Sequence, residues 1–194
     1  MLSLSELPSG DEGLSLARRL RARRGVYSAR FDKRRAEVTV LAAPSVDPLS
    51  EARAVKDEDY DVRLGAGFGR YAAFTKPPSG TDVATLARNG EDIAELSALA
   101  VPGKITVFDF YAEWCEPCRL LDTHMLGILV ARKDVAYRKL DVADWDTPLA
   151  RHHLPHAPTL PYVVVFDAAG NRVGAVMGMN LDALDRLIDG AAPR

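Results

Sequence analysis

Apolar and polar positions alternate with period two in Gly25 to Phe31 and Ala36 to Ala42, where Ser28, Arg30, Glu37 and Thr39 separate apolar neighbours. Around the polar turn Asp32-Lys33-Arg34-Arg35 this predicts a hairpin. Before it, residues 13 to 24 gather Leu14, Leu16, Ala17, Leu20 and Ala22 on one side of a helix whose other side holds five arginines. After it, Asp47 caps a short helix reaching Ala54, with Pro48 in its first turn, and Tyr60 to Leu64 is a strand. A strand, helix, hairpin, helix and strand make a ferredoxin-like α+β domain, assigned to residues 1 to 65. Residues 65 to 80 are glycine-rich and end in Pro77-Pro78-Ser79-Gly80, the signature of a linker, which is assigned to residues 66 to 81. Phe68, Tyr71 and Phe74 within it either pack back or form a patch for a partner.

The rest, 82 to 194, reads as one α/β domain. Helical pieces are predicted over Asp82 to Arg88 and Glu91 to Leu99, broken at Asn89-Gly90. Ile105 to Tyr111 is a strand buried on both faces, and Leu120, Leu121, Met125 and Leu126 follow at helical spacing. Then come a strand over Asp134 to Asp141, a helix over Asp144 to His153, and strands over Pro161 to Asp167 and Arg172 to Gly178. An amphipathic helix over Leu181 to Ile188 closes the chain.

The only two cysteines, Cys115 and Cys118, lie where that buried strand meets the helix, with Pro117 in its first turn. Cys-x-x-Cys closes too small a loop for a structural staple, and two cysteines cannot complete a four-cysteine zinc site. At a helix N-terminus, free N–H groups and the helix dipole stabilise a thiolate. Cys115 should therefore be the more acidic and exposed sulfur, with Cys118 one turn inside and able to attack a mixed disulfide formed on it.

Phe110-Tyr111-Ala112-Glu113-Trp114-Cys115-Glu116-Pro117-Cys118 resembles the active-site stretch of thioredoxins, usually written WCGPC. Asp109 falls where that family carries a buried aspartate, Lys139 where it carries a lysine near it, and Leu160-Pro161 where its cis-proline segment begins. Gly170 and Gly178 match a hairpin glycine and a later one. The resemblance covers the C-terminal domain and implies a mixed sheet with helices on both faces. Glu116 in place of glycine, and Thr123 where many thioredoxins have a kinking proline, depart from the pattern. More weakly, GVYSARFDKRRAEVTVLAAPSVDP resembles the middle of a heavy-metal-associated domain. Its metal-binding Cys-x-x-Cys is missing from Leu7 to Gly13, so soft-metal binding is not expected there.

Roles follow. Cys115 is the nucleophile and Cys118 the resolver. Asp109, desolvated in an apolar strand, should bind its proton more tightly than usual and exchange it with Cys118. Lys139 either pairs with Asp109 or is solvated. Trp114, Glu116, Pro117, Thr159, Leu160 and Pro161 should contact an extended substrate chain. A carboxylate at Glu116 beside Cys115 disfavours the thiolate, which points to a reducing protein.

Composition narrows the class. Hydrophobic residues at 47% and charged ones at 27% suit a globular protein. No basic-then-apolar leader or membrane-length apolar run is seen, so a cytoplasmic location is expected. Residues 1 to 80 hold 14 Lys and Arg against 11 Asp and Glu, and the remainder 11 against 16, which does not suggest a nucleic-acid binder. The five arginines read as a solvated helix face or a site for an anionic partner. The expected function is thiol–disulfide exchange with protein disulfides. It needs no cofactor beyond the Cys115–Cys118 pair, draws electrons from an upstream dithiol protein, and leaves the first domain to dock a partner. The rival is a copper- or zinc-handling protein using the cysteine pair and a histidine of His152, His153 and His156.

Overall fold

In the computed structural model, which describes residues 1–57, 59–93 and 95–192, the chain divides into two units, Met1–Ala73 and Phe74–Arg194. The first contains β1 (Leu2–Ser5), α1 (Gly10–Arg21), β2 (Val26–Asp32), β3 (Glu37–Ala42), α2 (Pro48–Val55) and β4 (Asp61–Leu64). Its antiparallel sheet runs β2-β3-β1-β4, the ferredoxin-like order expected of βαββαβ. Capping explains both helices. The Ser9 hydroxyl accepts from the Asp11 N–H at 3.2 Å, and the Asp47 carboxylate accepts from Leu49 at 3.1 Å with Pro48 following. Leu16, Ala17 and Leu20 form the buried stripe of α1. Two of its arginine-rich segment's charges are taken up locally: Arg19 pairs with Asp57 at 2.9 Å, and Arg23 with Glu51.

The glycine-rich run continues the first unit. Ser5 Oγ donates to Phe68 O at 2.8 Å, Arg70 N to Leu4 O at 2.8 Å, and Leu7 N to Arg70 O at 3.1 Å. Tyr71 is buried, its hydroxyl donating to Lys33 O at 2.7 Å, while Phe68 is exposed. Such close passage of one backbone over another needs glycine. A Cβ on Gly69 would sit 2.1 Å from Arg35 O and 2.5 Å from Ala36 O. Gly69→Ala should destabilise the first unit by about 1–3 kcal/mol, the usual cost of overpacking. Both tryptophans, Trp114 and Trp145, belong to the second unit. Far-UV circular dichroism should therefore show a lowered urea midpoint that tryptophan fluorescence does not share.

The second unit contains β5 (Val83–Ala87), a 3-10 turn at Leu96–Leu99, β6 (Ile105–Tyr111), α3 (Glu116–Ala131), β7 (Val135–Asp141), α4 (Pro148–His153), β8 (Tyr162–Phe166), β9 (Arg172–Met177) and α5 (Leu181–Gly190). The sheet order is β5-β7-β6-β8-β9, with β5, β7 and β6 parallel and β8 and β9 antiparallel to their neighbours. One prediction is corrected here. Residues 83–87 are a strand, not a helix: Val83 pairs with Tyr137 and Thr85 with Lys139. A five-residue apolar run carries too few periods to separate strand from helix, and its pairing partner lies far along the chain. Of the helix expected over Glu91 to Leu99, the 3-10 turn is what forms among the described residues; Ala94 lies outside them.

Alternation along β6 builds two cores. Ile105 and Val107 meet Leu121, Met125 and Leu129 of α3 and Leu184 and Ile188 of α5. Phe108 and Phe110 face the other way, toward Leu149, Ala150 and Leu154. Helices thus cover both faces, and the chain leaves β6 at Tyr111 directly into the turn that holds the cysteines.

Candidate active site

The turn after β6 delivers Cys115 as the N-cap of α3. Its Sγ accepts a hydrogen bond from the Cys118 N–H at 3.2 Å, and Pro117 follows where no intrahelical donor is needed. Cys115 and Cys118 are joined in a disulfide with an S–S distance of 2.08 Å. Cys115 is 4% exposed and Cys118 fully buried, the ranking expected of outer and inner sulfur. Trp114 Nε1 donates to Ala143 O at 2.7 Å, which pins the half-buried indole, while Glu116 and Pro117 face solvent. Leu160 belongs to the same core cluster as both cysteines. The Leu160–Pro161 peptide is cis, Pro161 O accepts from Gly178 N at 2.8 Å, and Thr159 is exposed.

Asp109 lies on the α3 side of β6 and is fully buried. The Tyr137 hydroxyl donates to its Oδ2 at 2.5 Å; Oδ1 has no hydrogen-bond partner among the described residues. Burial pushes the carboxyl up to about 7, against the Tyr137 hydrogen bond and the Lys139 charge, with Asp122 adding to the rise. Burial, and then the charge of Asp109, push the Tyr137 hydroxyl well above its ordinary value, so it remains a donor.

Lys139 follows neither course left open by the sequence. It is buried, hydrogen-bonded to Asp122 on α3, and its ammonium lies 4.0 Å from the centre of the Phe74 ring and 4.6 Å from that of Tyr111. Two residues around the site escaped the sequence reading, Tyr137 and Asp122, while Phe74 was read only as a linker aromatic that packs back or faces a partner. The first two carried a signal. Tyr137 shares a face of β7 with Lys139, and Asp122 stands four residues after Cys118 on the buried stripe of α3.

Residues 94–189 match the thioredoxin family model. The chain is 33% identical over 92 residues to Thioredoxin-2 of Saccharomyces cerevisiae, a match spanning 47% of this chain and 85% of that protein. The chain belongs to the thioredoxin family. It is a thiol–disulfide oxidoreductase, and the two cysteines of its thioredoxin domain are joined in this structure. Thioredoxin H8 of Arabidopsis thaliana is 31% identical over 96 residues, covering 50% of this chain and 62% of the relative. Among solved structures, oxidised mitochondrial thioredoxin 3 of S. cerevisiae is 30% identical, with a TM-score of 0.38 over 45% of this chain and 79% of that one. Unlike thioredoxins with a proline in this helix, α3 carries Thr123, whose hydroxyl donates to Arg119 O at 3.1 Å, and runs unbroken over 16 residues. No helix among the described residues is long and apolar enough to cross a membrane.

Among the described residues, the metal-capable group within mutual reach is Asp92, His152 and His153, with neither cysteine nor His156 in it. His152 and His153 stack with ring centroids 4.2 Å apart and planes 22° from parallel. Lone pairs in two nearly parallel planes do not converge on one ion at zinc–nitrogen distances of about 2 Å. Both rings are instead engaged locally, His152 Nδ1 with Asp92 at 3.0 Å and His153 Nε2 with Ile93 O at 2.7 Å.

Proposed function

We propose that the chain reduces disulfides in protein partners, through Trp114-Cys115-Glu116-Pro117-Cys118, in the cytoplasm. The observation that supports this best is the N–H of Cys118 aimed at Cys115 Sγ at the start of α3, which favours negative charge on that sulfur. In the reduced protein the Cys115 thiolate attacks one sulfur of the substrate disulfide, forming a mixed disulfide and releasing the other substrate sulfur as a thiolate. Cys118 gives up its proton, with Asp109 as the acceptor, and attacks Cys115 Sγ. The Cys115–Cys118 disulfide forms, the second substrate thiolate leaves, and two electrons have passed to the substrate. A dithiol protein upstream restores the pair.

The substrate chain docks as an added strand along Thr159, Leu160 and Pro161, with Trp114, Glu116 and Pro117 supplying the opposite wall. Lys139 serves this chemistry at a distance, through its charge near Asp109. The first unit recruits a partner. A carboxylate at Glu116 and a proton acceptor at Asp109 both suit a reductant.

Equilibration of the metal-free protein against dithiothreitol and glutathione mixtures tests this reading. The expected result is one two-electron transition near about −270 mV, absent in Cys115→Ser. A potential near about −120 mV would make the protein an oxidant, and no reversible transition would remove the pair from redox chemistry altogether.

A further inference from the structure

The buried carboxyl of Asp109 is held between two devices that act in opposite directions, and neither belongs to the cysteine motif. On one side the Tyr137 hydroxyl donates to Oδ2 at 2.5 Å, a bond to the charged form of the carboxyl. On the other, the nearest cation, Lys139, is turned to Asp122 and boxed by the rings of Phe74, Tyr111 and Tyr137. With Oδ2 taken by Tyr137, the unpartnered Oδ1 is the atom left to carry the proton.

We infer that Tyr137 and Asp122 are positioning residues for proton transfer at Asp109: Tyr137 orients and stabilises its carboxylate, and Asp122 holds the Lys139 ammonium and offsets the charge it presents there. This rests on the reading that Asp109 exchanges a proton with Cys118. The groups facing Asp109 define the balance. From β7 come Tyr137 and Lys139, from α3 Asp122, and from β6 itself Tyr111; β8 contributes the apolar Val163 opposite. Asp122 and Lys139 line an open groove of about 330 Å³ with Phe74, Val83, Thr85 and Tyr111, whereas Asp109 does not. The charged pair therefore sits between solvent and the proton carrier.

The two devices predict opposite shifts. Tyr137→Phe keeps the ring and removes a hydrogen bond to the carboxylate, so the Asp109 titration should move up by about one pH unit, the usual worth of a bond to a charged group. Asp122→Asn removes a negative charge and leaves Lys139 facing Asp109, so the titration should move down by a similar amount. Lys139→Met in the Asp122→Asn background should reverse most of that downward shift. Two readouts are needed. One is the carboxyl carbon of Asp109 followed by NMR in the oxidised full chain. The other is the pH profile of insulin reduction, read on the limb that Asp109→Asn abolishes.

Opposite shifts in both readouts support the inference. Opposite NMR shifts with an unmoved rate profile support the positioning roles and overturn the catalytic use of Asp109. Variants that fold but leave the carboxyl titration within about 0.3 unit of the parent overturn the inference itself. A purely structural role would lower rates or melting temperatures without moving either titration in opposite directions.

Discussion

Cys115→Ser is expected to lower the rate of insulin reduction by at least roughly a thousandfold, because the attacking thiolate is removed and a serine hydroxyl does not replace it at neutral pH. Cys118→Ser should behave differently. Its Cys115 can still attack, but no second sulfur is present to resolve the mixed disulfide, so the variant should accumulate as a covalent adduct with substrate protein that dithiothreitol releases. Non-reducing gels distinguish the two. The asymmetry follows from placement: Cys115 is the N-cap and 4% exposed, whereas Cys118 is fully buried under the first turn of α3. An adduct trapped by Cys115→Ser, and none by Cys118→Ser, would reverse the assigned roles.

Asp109→Asn should stabilise the oxidised protein at pH 8 by up to about 4 kcal/mol while making little difference near pH 4. The carboxyl is held up to about 7 in the folded chain, chiefly by burial, against an ordinary value of 3.8. Between those values the native state keeps a proton that the unfolded state has released. Protons bound are then fewer in the unfolded state, so stability falls as pH rises through this window and levels off above it. Asparagine cannot ionise, yet its side-chain oxygen can still accept from Tyr137. Urea unfolding followed by tryptophan fluorescence, which reports the second unit alone, should give a curve for the variant that lacks this decline. Parallel curves for parent and variant between pH 4 and 8 would show that Asp109 is not the source of it. The same substitution should slow resolution by Cys118, so stability and activity move in opposite directions.

Wherever neighbours along the chain carried the information, the sequence was readable. The period-two hairpin, Asp47 with Pro48 at the start of α2, and the apolar run of β6 leading into Pro117 are short-range signals, and each element forms close to its expected limits. Cys115 and Cys118 fall at the strand–helix junction for the same reason. Residues 83–87 failed because a short apolar run takes its conformation from its partner, here the parallel strand β7. The glycine-rich run after Leu64 read as a linker because glycine signals both freedom and close approach, and Gly69 serves the second.

The electrostatic site divides in the same way. That Asp109 would be buried, and hence a tight holder of its proton, follows from its place in an apolar strand. Which groups would answer it does not, because hydrogen-bond partners are chosen by register and helix docking rather than by spacing. The parallel pairing of β6 with β7 brings Tyr137 and Lys139 to the same face as Asp109, and the docking of α3 offers Asp122 to the lysine first. Sequence alone determined the reactive pair, its place at a helix start and the character of the strand beneath it, since these depend on local backbone and solvation. Only tertiary structure decided that Tyr137 holds the aspartate and Asp122 the lysine, since contacts of a few ångströms between distant residues exist only once the sheet and helix have packed.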